Sequence, residues 1–304
     1  MGGDLALLQA LLDGGFTFWG LIAAVAKLSV YLPSFLAAGL LLFLIALPIS
    51  DIGLRNSLLK WAAGASVLAA LASALRVMVQ AGRVMDDIAF MTDPEIVGIV
   101  LEGPLGASTL VRLIGLSTII LAVLLPSARL LAGVVGALLV AGSFALTGHA
   151  TRDPQWALSA LVAVHLLAVS FWFGALLPLY KLAAPNSSNI HEAAHIAHRF
   201  GQQATVVVPV LIIVGGIFGY LLLGSPSALF GSAYGQMLLL KLAIVALVLA
   251  IAALNKLQLV PALAAGDVKS AERFRTSLRW EGLVFFAILA ATAFLTTSFT
   301  LANP

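Results

Sequence analysis

The sequence predicts an all-α fold, a polytopic membrane bundle of eight transmembrane helices, and three observations predict it. Hydrophobic residues make up 62% of the chain and charged residues only 10%, with a mean hydropathy of +1.10, far from the composition of soluble domains. Apolar stretches recur that reach the roughly 20 residues needed to cross a bilayer. Lysine and arginine are concentrated in alternate connections between those stretches, as expected where membrane insertion sets orientation. The 304 residues read as one transmembrane domain whose surroundings are lipid. The formal charge of +3 reflects sidedness and implies no nucleic-acid partner. Zero cysteines exclude disulfides, Fe–S clusters, thiolate metal sites and covalently attached haem. Soft-metal chemistry must then rest on histidine and methionine. Residues 1–15 hold Asp4 and Asp13 and no Lys or Arg, unlike a signal peptide, so the first hydrophobic segment is expected to be retained.

In order, the spans fall at roughly 17–47, 57–82, 105–125, 129–149, 155–180, 200–223, 235–257 and 280–301. The first contains Pro33 and is long enough to tilt or kink. Connections 48–60, 126–129, 181–199 and 256–279 carry Arg55, Lys60, Arg129, Lys181, Arg199, Lys256, Lys269, Arg273, Arg275 and Arg279, whereas the opposite connections carry Arg83 and Arg152. Ten against two puts the first set on the inner side of the membrane and both termini on the outer side. The segment between the second and third spans is acidic, with Asp86, Asp87, Asp93, Glu95 and Glu102, and is expected to carry a short helix on the membrane surface.

Four cations remain inside the spans: Lys27, Arg76, Arg112 and Lys241. Each lies roughly 9–15 Å below the outer surface at about 1.5 Å per residue, with no Asp or Glu placed comparably deep. Charge in lipid is costly, so they should face the bundle interior or water. They either snorkel toward headgroups or line a cavity that takes negative charge from the acidic segment, an anion or a cofactor's carboxylates.

Two histidines belong to the membrane. His149 ends the fourth span and His165 lies in the fifth. On antiparallel helices their side chains lean toward each other, because each leans to its own helix N-terminus. Neutral imidazole ligates copper or haem iron, while an intramembrane histidine can equally bond a backbone carbonyl between helices. Met78 and Met85, seven apart on one helical face, offer thioethers suited to Cu(I) or serve simply as hydrophobes. The run His191-Glu192-Ala193-Ala194-His195, with His198 following, matches the HExxH zinc-protease pattern. On a helix the first and last histidines would stand about 10 Å apart, and a solvated stripe on a helical extension is the expected reading.

From residue 142 onward the chain resembles the copper resistance D protein family (CopD/PcoD). The resemblance rests on Thr147-Gly148-His149-Ala150, on the run from His165 through Trp172-Phe173-Gly174-Ala175 to Leu179, and on Arg199-Phe200-Gly201. It continues through Gly215-Gly216, Tyr234-Gly235, Lys241, Asn255-Lys256, Pro261 and Ser277-Leu278-Arg279-Trp280-Glu281. It covers 142–301, and the first hundred residues match in general character. Phe173-Gly174-Ala175 replaces a common Leu-Gly-Gly run and Gly201 a common serine. The resemblance implies an inner-membrane protein that handles copper, moving it from periplasm to cytoplasm with a soluble CopC-type carrier.

The expected function is therefore copper uptake without enzyme activity. It starts at an outer-half site of His149 and His165, assisted by Met78 or Met85. The alternative is a b-type haem electron-transfer protein using the same histidines, with Lys27, Arg76, Arg112 or Lys241 pairing with propionates. Below His165 the fifth span offers Trp172 and no evident ligand, so the path inward stays untraced.

Overall fold

A computed structural model describes residues 17–147, 155–184, 190–223, 226–231 and 233–298. Among them, eight helices are long and apolar enough to cross a membrane. The helices are α1 (Phe18–Ala46), α2 (Ile52–Met85), α3 (Pro94–Glu102), α4 (Pro104–Leu124), α5 (Arg129–Ser143), α6 (Gln155–Leu182), α7 (Ile190–Leu223), α8 (Pro226–Gly231), α9 (Ala233–Leu254), α10 (Val260–Ala264) and α11 (Val268–Ser298). A π-helical turn, Asn255–Leu259, joins α9 to α10, and short 3₁₀ turns flank α5. The acidic segment does hold a helix, α3, capped by Asp93, whose carboxylate accepts from the amides of Glu95 and Ile96.

Several helices overrun the spans read from hydropathy. α2 starts five residues early because Asp51 caps it, accepting from Leu54 N at 3.0 Å. α7 and α11 begin at Ile190 and Val268 rather than near 200 and 280. Hydropathy marks the lipid-crossing part of a helix, whereas hydrogen bonding continues the helix into water. The basic residues Arg55, Arg199, Lys269, Arg273, Arg275 and Arg279 consequently stand on helical extensions at one end of the bundle, here the basic end. Residues 86–103 mark the opposite, acidic end.

α1 is the central helix. It packs against α2, α5, α6 and α11, and 67% of its most apolar window is buried, against 6% for α7 and for the α9–α10 helix. Those two helices therefore present most of their surface to lipid. α1 stays helical through Pro33, which is buried. Glycine sets the closest approach: a Cβ on Gly39 would land on the carbonyl oxygen of Ser170, and one on Gly174 would strike the backbone of Gly39. α1 and α6 thus touch backbone to backbone, a contact that small residues permit in membranes. Within helices, Ser66, Ser73 and Ser170 return their hydroxyls to carbonyls four residues back, satisfying groups that lipid cannot.

Candidate functional site

Three sets of polar residues lie between the helices. The first is cationic and belongs to the acidic half. Arg112 of α4 is 0% exposed. Its guanidinium donates to Ser143 Oγ at 3.2 Å, Ser73 Oγ at 3.4 Å and Ser108 Oγ at 2.8 Å, and stacks 4.2 Å above the Phe144 ring. Inserting an arginine at a helix centre costs about 2.5–3.5 kcal/mol. Hydrogen bonds to a charged group return about 1.5–3 kcal/mol each. The three serines and the ring therefore hold Arg112 without any ligand. Lys27 is half-buried and donates to Thr296 Oγ1 at 2.7 Å and Thr296 O at 3.3 Å. Arg83 reaches Thr297 O at 3.4 Å. Arg76 differs, because its buried Nη1 finds no partner among the described residues.

The second set is the histidine region. His149 lies outside the described residues. His165 is half-buried on α6, and its Nδ1 is buried with no hydrogen-bond partner among the described residues. The ring faces Gly215 of α7, where a Cβ would stand 3.8 Å from its Cε1. Lys241 stands half-buried on α9. Met78 is half-buried, whereas Met85, on the last residue of α2, is 41% exposed. Met91 packs back over Gly82 instead. His191, His195 and His198 are all exposed, while Glu192 accepts from the backbone amide of Ser50 at 2.6 Å. The HExxH stripe thus faces water and its acid braces the α1–α2 connection. Among the described residues, no three His, Asp or Glu side chains gather where they could hold one metal ion.

The third set went unread in the sequence. Glu281 of α11 is 3% exposed. Its Oε1 accepts from Trp172 Nε1 at 2.6 Å and its Oε2 from Asn255 Nδ2 at 2.8 Å. Trp172 is braced edge-on by Phe285 at 5.4 Å. Asn255 opens the π turn, a distortion that often marks functional positions in helices. These side chains line a cavity of about 360 Å³ between α6, α7, the π turn and α11, with Phe200, Gly201 and Lys256 also on its wall. Glu281 thus places a buried carboxylate inside the bundle toward the basic end, and Trp172, which the sequence puts two turns below His165 on α6, is its donor. The span read from hydropathy starts at residue 280, next to Glu281; α11 begins twelve residues earlier and turns Glu281 inward while neighbouring Trp280 stays 60% exposed. The available signal was that Trp172, Phe200-Gly201, Asn255-Lys256 and Trp280-Glu281 all belong to the fragments carrying the family resemblance. They converge on this one cavity.

Comparison with known proteins adds the family. The model described as copper resistance protein D matches residues 194–295, and that described as the copper resistance protein D-like N-terminal domain matches 17–157. The chain belongs to the copper resistance protein D family. It is 30% identical over 177 residues to copper resistance protein D of Pseudomonas syringae pv. tomato, covering 54% of this chain and 56% of that one. It is 31% identical over 137 residues to inner membrane protein YebZ of Escherichia coli (strain K12), covering 44% and 47%. The chain thus aligns with about half the length of these curated relatives. No solved structure matches it. Family membership reaches further toward the N-terminus than the motifs from residue 142 onward indicate, taking in Lys27, Arg76 and Arg112. Lys241, Asn255 and Glu281 fall in the second matched segment, and His165 and Trp172 lie between the two. With eight candidate spans and these relatives, the protein is a multi-pass inner-membrane protein.

Proposed function

We propose that the protein takes up copper from the periplasm and passes it toward the cytoplasm. The basic end is assigned to the cytoplasm by the concentration of Lys and Arg there, which makes the acidic end periplasmic. Copper enters near His165, and the buried imidazole Nδ1 that lacks a hydrogen-bond partner is the observation that carries this reading. A buried polar nitrogen left unmatched is costly, and a ligand bond would use it. His149 completes the entry site, with Met78 and Met85 as thioether neighbours suited to the cuprous state. Exposed Asp86, Asp87, Glu95 and Glu102 attract the cation or dock a basic face of a soluble CopC-type carrier, since opposite charge steers association. The protein acts as a conduit and performs no covalent chemistry.

Two measurements test this. Purified wild-type protein should bind copper and lose it on His165→Ala or His149→Ala; full retention of copper by both variants would remove the site. The visible absorption spectrum of the same samples decides the haem alternative, because a Soret band that disappears with His165→Ala would replace copper by haem b at these histidines. Orientation is tested separately, and cleanly, because the chain has no cysteine. Single cysteines at Asp13 and Asn303 should label from the periplasm and one at Pro185 only after the membrane is permeabilised. Periplasmic labelling at Pro185 would reverse the proposed direction.

A further inference from the structure

The cavity around Glu281 is independent of the histidine site, and its hydrogen bonds suggest a second role. Trp172 can only donate, so Oε1 of Glu281 always accepts. Asn255 is different, because its amide presents a donor on one side and an acceptor on the other. With Nδ2 toward Glu281, the carboxylate receives a second donor, and Asn255 Oδ1 is buried with no hydrogen-bond partner among the described residues. Rotating the amide by half a turn exchanges the two atoms, and the choice between them is set by the hydrogen-bond network rather than by shape. Oδ1 would then occupy the position 2.8 Å from Oε2, where it can accept an O–H from a protonated Glu281. The contact between Asn255 and Glu281 is thus a hydrogen bond in either protonation state of the carboxyl, with Trp172 as the fixed partner and Asn255 as the reversible one.

The surroundings allow a proton to reach it. Asn255, Glu281 and Trp172 line the 360 Å³ cavity together with Lys256. Lys256 is an exposed residue, and its stem runs over Gly201, 3.4–3.9 Å from where a Cβ would stand there. Gly201 therefore keeps the wall low enough for that side chain to reach from the cavity to the surface. Among the described residues, Lys256 is the one other charged or titratable group on the cavity wall. The linings from α6, α7, α9, α10 and α11 are otherwise apolar or neutral. Arg279 is drawn away to Tyr180 Oη at 3.1 Å, and Arg275 stacks on the same ring at 4.4 Å. A buried carboxylate without a bonded cation must be neutralised or solvated, and the cavity supplies access for both.

We infer that Glu281, with Asn255 as its reversible partner and Trp172 as its fixed donor, is a proton-binding site that exchanges with solvent through the cavity at the basic end. The step is a simple transfer. A proton leaves hydronium or water in the cavity and bonds to Oε2, the carboxylate charge falls from −1 to zero, and the Asn255 amide turns to accept the new O–H. Release reverses each event. The site gives the protein a second cation-handling station that needs no copper.

Infrared difference spectroscopy on the full chain in lipid, without copper, tests it. Wild-type protein should show a carboxylic-acid carbonyl band that grows on acidification, shifts in D₂O because the site exchanges, and disappears in Glu281→Gln. Glutamine preserves the acceptor for Trp172, and its amide can meet Asn255 Oδ1 after the same half-turn. If Glu281→Gln does not fold, Trp172→Phe identifies the band: it keeps the carboxyl and removes its fixed donor, so the band should persist at a changed frequency. A pH-dependent acid band unaffected by either substitution, or no such band at all, overturns the assignment. Copper binding by Glu281→Gln that equals wild type separates this result from the histidine reading. Loss of copper in His165→Ala with the acid band retained would confirm that the two sites are distinct.

Discussion

Arg112 and Glu281 are both buried charges, yet the bundle treats them in opposite ways. Arg112 lies where α2, α4 and α5 close on one another and is held by three serine hydroxyls and the Phe144 ring. Each of those contacts is buried, and Arg112 itself is fully enclosed. Glu281 meets two neutral donors and then open space, beside helices that lend little burial to the core. A charge enclosed on all sides stabilises one structure, whereas a charge with one free side can exchange its partner. The difference separates a structural ion from a working one, although both residues would look alike in a hydropathy plot.

That contrast can be broken experimentally, beginning where the effect should be largest. Gly39→Val forces side-chain atoms into the α6 backbone, and no rotamer relieves a clash with a carbonyl. The expected outcome is loss of monodisperse protein in detergent; a well-folded Gly39→Val would disprove the backbone contact. Next comes Arg112→Ala, which leaves buried hydroxyls without their donor and opens a void, and should cost about 3–5 kcal/mol on the scale of broken buried polar networks. Thermal unfolding in a fixed detergent reads this loss. If Arg112→Gln instead folds normally but loses a bound cofactor, the guanidinium is a ligand partner and the contrast drawn above is wrong. Lys256→Met comes third. It should leave unfolding within about 0.5 kcal/mol of wild type, as for exposed positions, while slowing deuterium exchange at the Glu281 carboxyl. The smallest effect is expected for Glu192→Gln, since glutamine still accepts from Ser50 N. Copper content should be unchanged, and complete loss in well-expressed protein would bring the hydrolase motif back into consideration.

The eight spans were legible because lipid demands long apolar runs, and the positions of Lys27, Arg76, Arg112 and Lys241 followed from simple counting. What surrounds those cations was not legible. Ser73, Ser108 and Ser143 come from three different helices, and no spacing in a linear chain links them. The helical extension that carries His191 to His198 was legible, whereas the early starts of α2 and α11 were not, since Asp51 and the polar start of α11 continue hydrogen-bonded turns that hydropathy does not detect. Glu281 was missed for that reason: its burial depends on which way α11 turns beyond the lipid boundary, and this is set by Trp172 and Asn255 on other helices. Met78 and Met85 share a face by spacing, but the bundle half-buries Met78 and leaves Met85 at the surface, a distinction that periodicity cannot make.

The contact of Gly39 with Gly174 fixes more than a distance. With no side chain between the two backbones, α1 and α6 meet as the arms of a pair of scissors meet at the rivet: they can swing there, but sliding would drive one carbonyl into another. Trp172 lies two residues from that rivet, about 3 Å along α6, and His165 lies nine residues away, about 14 Å. Any swing of α6 therefore sweeps the imidazole through an arc several times wider than that of the indole. The proposed copper ligand rides on the long arm of the lever and the donor to Glu281 stays close to the pivot.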